Sequence, residues 1–126
     1  MADEAVAWLW RLGYLDDAAY AQARARSLLA PGRLGPRLAE RRLLLAGIAP
    51  AAAREAVAAA LADAAGQANE GAEPALARRL AEKRLRGVPL EGLSERERAR
   101  LARFLLGRGF SGPAVSRVLG IWVDEG

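Results

Sequence analysis

The chain has 126 residues, is 52% hydrophobic and carries a net charge of +4. That suits one domain or a short array of small repeats, and the apolar content is too high for a disordered chain. With no cysteine and no histidine, it lacks disulfides, thiolate nucleophiles, imidazole bases and Cys/His metal sites, so most nucleophilic and zinc chemistry is excluded and no cofactor is expected. No apolar run reaches the ~18 residues of a membrane span. The start MADEAVAWLW lacks the basic opening of a signal peptide, so the expected compartment is the cytoplasm.

Ala, Leu, Arg and Glu dominate, there is no Thr, and Ile occurs only at 48 and 121. These are helix formers, and strand formers are scarce, which predicts an all-α fold. Helix breakers divide the chain into seven predicted helices. The first lies near 3–12, with Asp3 and Glu4 favouring its start and Gly13 ending it. The second lies near 17–29, capped by Asp16 and stopped by Pro31-Gly32. The third, near 36–46, opens with Gly35-Pro36 and closes at Gly47, and the fourth, near 50–65, opens at Pro50. Gly66 to Glu73 reads as a loop. The fifth helix lies near 74–86. The sixth, near 94–107, opens with a capping box, Ser94 to Glu97. The seventh lies near 113–123.

Two stretches of the chain align. LLLAGIAPAAAREAV (43–57) matches LLGRGFSGPAVSRVL (105–119), placing Gly47 with Gly109 and Ile48 with Phe110. In each, glycine ends a helix and the apolar residue after it packs back on that helix. A second echo links DEAVA (3–7) to REAVA (54–58). The pattern is a three-helix unit in tandem, and such arrays form curved binding surfaces. The expected division is the last helix of an incomplete first repeat (1–13), a second repeat (14–65), a linker (66–75) and a third repeat (76–126). An incomplete first repeat would leave Val6, Leu9 and Trp10 poorly covered, favouring self-association through that helix. The predicted core holds Tyr20, Ala39, Leu43, Ile48 and Val57 in one unit. Leu101, Leu105, Phe110, Val115 and Leu119 form it in the next.

The paired carboxylates of Asp16 and Asp17 are a metal or acid–base candidate, but with no third ligand nearby they read as a helix cap. Trp8, Trp10 and Trp122 are candidates for base stacking, against a simpler reading as packing residues in apolar stretches. Of the 19 basic residues only Lys83 is a lysine. Positive charge is concentrated in residues 20–50 and 76–90, and the intervening 51–75 are acidic. An excess of arginine in blocks points to an acidic partner, either nucleic acid or an acidic protein surface.

The ordered set GYLDDAAYA, GPRLAERRLLLAGI, an Ala-rich helix and LLGRGFSGPAVSRVL resembles the RecX family of bacterial RecA regulators. The matching positions are Gly13, Asp16, Asp17, Tyr20, Ala21, Gly35, Pro36, Leu43, Gly47 and Ile48. The resemblance is most convincing over 9–61. It implies three tandem three-helix repeats and a non-enzymatic protein that binds the RecA filament, opposes its growth and restrains its ATPase, strand-exchange and co-protease activities. Many family members also bind DNA, single- or double-stranded. The expected partner face comprises Arg24, Arg37, Arg41, Arg42, Arg78, Arg79, Lys83 and Arg84. A general helical nucleic-acid-binding module and an acidic-peptide scaffold are the alternative readings.

Overall fold

Proline and glycine set the helix boundaries much as the sequence implies. The computed structural model describes residues 18–30, 33–66 and 68–121, and among these there are helices and no strand. Helix α1 runs through residues 18–28. Then come α2 (Pro36–Leu45), α3 (Pro50–Ala65), α4 (Ala72–Leu85), a single 3-10 turn (Leu90–Gly92), α5 (Glu95–Gly107) and α6 (Gly112–Leu119). The predicted helix near 3–12, the Asp16 cap and the Pro31-Gly32 stop lie outside the described residues, as does Trp122.

Proline at the first position of α2 and α3 gives up an N–H that has no intrahelical acceptor there. Helix α4 starts two residues before Pro74, since a proline in the first turn is tolerated for the same reason. Ser94 and Glu97 form the predicted capping box of α5, with the Glu97 amide donating to Ser94 Oγ (3.2 Å) and the Ser94 amide to Glu97 Oε1 (3.4 Å). Helix α6 stops at Leu119, short of the predicted 123, because Gly120 takes a left-handed conformation behind it.

Two core clusters form. One gathers Ala21, Ala25, Leu28 and Leu29 of α1 with Leu34, Ala39, Leu43, Ile48, Ala53 and Val57. The other gathers Leu76, Leu80, Leu90, Leu93, Leu101, Leu105, Phe110, Val115 and Leu119. Leu61 of α3 packs against both. Tyr20 corrects the predicted core, because it is 50% exposed. The buried line of α1 runs 21, 25, 28, 29, and Tyr20 stands one position, about 100°, off that line. The other predicted core residues are buried.

The two aligned stretches share their hydrogen bonding. The Ile48 amide donates to the Leu43 carbonyl (3.0 Å) and the Phe110 amide to the Leu105 carbonyl (3.2 Å). Gly47 and Gly109 have φ of +92° and +99°. The Gly109 turn has a further role: it seats on the start of α2. The Gly35 amide donates to the Arg108 carbonyl (2.7 Å) and the Arg37 amide to the Gly109 carbonyl (3.0 Å). The first turn of α2 has no side-chain cap of its own. Its donors are satisfied by the end of α5, so the second helical group completes a helix of the first.

Candidate partner-binding surface

The basic residues divide by what their side chains do. On α4, Arg78 is committed to a partly exposed ion pair within the chain. Its Nε lies 2.9 and 3.1 Å from the two carboxylate oxygens of Glu70, and Nη2 lies 2.8 Å from Oε2. The hydrogen bonds from Arg78 hold the Glu70 carboxyl below the usual glutamate range, and the same pair raises Arg78. Arg79 donates to the Ala64 carbonyl (2.9 Å), satisfying one of the free carbonyls at the end of α3. The Arg84 guanidinium stacks 4.0 Å above the Phe104 ring. Of the four α4 residues in the predicted partner face, only Lys83 is exposed without such an attachment among the described residues.

On α1, Arg24 is exposed, and its neighbour Arg26 makes a loose, exposed pair with Asp63 at 3.9 Å. On α2, Arg37, Arg41 and Arg42 are all exposed. Ala39 and Leu43 form the buried side of that helix, so at 100° per residue Arg37 and Arg41 stand opposite the core and Arg42 stands to one flank.

Arginines outside the predicted face complete the picture. Arg96, Arg100 and Arg103 of α5 are exposed, whereas Leu101, Ala102 and Leu105 of the same helix are buried. The spacing i, i+4, i+7 puts the three on one stripe opposite the core. The sequence carried that signal, but Glu91, Glu95 and Glu97 dilute the local net charge and hide it from a count by blocks. At the α2–α5 junction, Arg108 donates through Nε (3.1 Å) and Nη2 (2.8 Å) to the Arg33 carbonyl. This ties the residue after α5 to the segment before α2.

Among the described residues no cluster of three or more acidic side chains is placed to hold a metal, and Asp16 and Asp17 lie outside them. A groove of about 250 Å³ between α1 and α3 is lined mainly by Ala18, Ala21, Ile48, Ala52 and Ala56, with Glu55 and Gln22 at its edge. It offers an apolar wall and one carboxylate, with no paired nucleophile and base. No described helix is long and apolar enough to cross a membrane.

A two-core array of short helices, stitched by backbone contacts and faced with arginine, defines the class: an all-helical repeat array. Residues 72–119, which hold α4 to α6, match the family model for the third three-helix domain of RecX. No curated protein and no solved structure matches the chain.

Proposed function

We propose that this protein is a non-enzymatic regulator in DNA repair that binds the RecA–DNA filament and restrains the recombinase, ATPase and co-protease activities of RecA. The match of residues 72–119 to a RecX third three-helix domain carries the reading. The exposed arginines give it a physical means, because guanidinium groups on rigid helices grip carboxylates and phosphates at several points without needing to do chemistry. On this reading Arg24, Arg37, Arg41, Arg42 and Lys83 meet the partner directly. Arg78, Arg79 and Arg84 act through the shape of α4, to which their side chains are tied. The protein works in the cytoplasm, where the filament is.

The test is DNA-dependent ATP hydrolysis by RecA, titrated with this protein at concentrations that leave the DNA largely uncoated. The expected result is a dose-dependent fall in hydrolysis. A RecA rate that stays flat until the DNA is saturated would instead favour a general nucleic-acid-binding module.

A further inference from the structure

We propose that the outward flank of α1 carrying Ala19, Tyr20 and Ala23 is a docking seat, and that its occupant is residues 3–12 of the same chain. This closes the array at its first helix whatever the array binds.

The seat stands out when α1 is set beside its counterpart in the second group of helices. Residues 18–25 (AAYAQARA) align with 74–81 (PALARRLA), placing Ala21 with Ala77 and Ala25 with Ala81. All four of these alanines are buried, so the two helices turn the same side to their own cores. Their flanks differ. Ala75 and Leu76 are 7% and 2% exposed. Their counterparts Ala19 and Tyr20 are both exposed, Tyr20 by 50%.

The flank of α4 is covered by the third helix of the preceding group. Helix α3 packs on α4, and its Leu61 and Ala64 press against the cluster that holds Leu76, Ala77 and Leu80. Arg79, one turn beyond Ala75, donates to the Ala64 carbonyl at 2.9 Å. For α1, the stretch that corresponds to α3 is the one just ahead of it. DEAVA (3–7) aligns with REAVA (54–58), and the same register sets Val6 with Val57 and Trp10 with Leu61. Leu61 is the residue of α3 that packs against both cores.

Chain length and side-chain size single out the same occupant. Five residues, 13–17, join residue 12 to the start of α1. They reach about 20 Å at full stretch, and a link this short joins antiparallel neighbours. Ala19 and Ala23, four positions apart, leave a shallow notch beside Tyr20. Val6, Leu9 and Trp10 recur at helical spacing as one stripe of large apolar groups. Large groups on the occupant thus meet small ones on the seat. This reverses the α3–α4 contact, where Leu76 and Leu80 stand against an alanine-rich helix. Running antiparallel also brings Asp3 and Glu4 toward the half of α1 that carries Arg24 and Arg26.

The experiment uses the full chain, which has no cysteine of its own. Ala7→Cys is combined in turn with Ala19→Cys or Ala23→Cys on the seat, and with Ala18→Cys or Gln22→Cys on the flank that lines the groove with α3. Val6, Leu9, Trp10 and Tyr20 stay in place. Disulfides are formed with a mild oxidant at low protein concentration and mapped by mass spectrometry. The better seat pair should close within one chain roughly tenfold or more faster than either groove pair, because docking raises its effective concentration. Tyr20→Asp gives a second readout. In an occupied seat its carboxylate is buried, and the melting temperature should fall roughly 5 °C or more below that of Gln22→Asp. Equal rates on the two flanks, or Tyr20→Asp melting with Gln22→Asp, overturns the proposal. Seat disulfides found only between chains also overturn it, and put a second copy in the place of residues 3–12.

Discussion

Gly35 and Gly109, 74 positions apart in the sequence, meet backbone to backbone. A Cβ on Gly35 would fall 2.6 Å from the carbonyl carbon of Gly109, and one on Gly109 would fall 2.5 Å from the Cβ of Leu38. The obstacles are backbone atoms and the first atom of a side chain, so neither clash can be relieved by rotating a flexible group. Only parting the junction relieves it.

Gly35→Ala and Gly109→Ala should therefore each destabilise the protein by about 1–3 kcal/mol, the usual cost of overpacking. Gly109 should be the worse, since its φ of +99° adds backbone strain for any other residue. Urea denaturation of the two single variants and the double variant checks this. The double variant should lose less than the sum, because the second methyl enters a junction already opened by the first.

The Glu70–Arg78 pair gives the fold an acid-sensitive contact. The Glu70 carboxyl titrates below its ordinary value in the folded state because Arg78 hydrogen-bonds it. A depressed carboxylate contributes stability that is fully present above the unfolded value of about 4.3 and is lost as pH falls through the lower folded value. Thermal unfolding of the parent and Glu70→Gln should therefore differ at pH 6 and converge as the buffer is taken below about pH 4. Since both side chains are partly exposed, solvent screening keeps the difference small.

Arg86 closes α4 in a left-handed conformation, φ +49° and ψ +52°. A residue with a Cβ costs roughly 1–2 kcal/mol there. Against this, glycine has greater freedom to lose on folding. Arg86→Gly should thus stabilise the protein by about 0.5–1 kcal/mol. A melting temperature that falls instead would mean the Arg86 side chain makes a contribution its exposure does not suggest.

The helices were legible because their punctuation is local. Gly35-Pro36, Pro50, Ser94 with Glu97, and Gly112-Pro113 each act within a few residues, and the structure places helix starts at or beside all of them. The turn Leu90–Gly92 was not read, because a single 3-10 turn has no periodicity to detect; its apolar residues matter only once Leu90 and Leu93 are buried against α5. The Gly35–Gly109 contact is non-local, and nothing in either glycine announces its partner. For the candidate surface, charge by blocks located arginine-rich segments but not which arginines were free. Whether Arg78 faces a partner or Glu70 is decided by how the loop before α4 folds back, and that is a tertiary fact.

Arg98 supplies the last test, and it is a cation with a structural task. Its Nη1 donates to the Leu119 carbonyl at the end of α6. Its Nη2 donates to the Leu90 carbonyl (2.9 Å) and its Nε to the Leu93 carbonyl (3.4 Å). One planar group thus satisfies carbonyls from the 3-10 turn, the residue after it and the last turn of α6. Hydrogen bonds from a charged donor are each worth about 1.5–3 kcal/mol, and the carbonyls left behind by truncation are partly shielded from water. Arg98→Ala should cost roughly 2–4 kcal/mol, the strength of one to two such bonds once water reaches the rest. Arg98→Lys should recover only a minor part, because an ammonium cannot span three acceptors held in the geometry of a guanidinium fork. Arg96→Ala, two positions away and exposed, is the matched control and should unfold within about 0.5 kcal/mol of the parent. Urea denaturation of the three variants decides it: if Arg98→Ala unfolds with Arg96→Ala, the three carbonyls do not depend on this side chain.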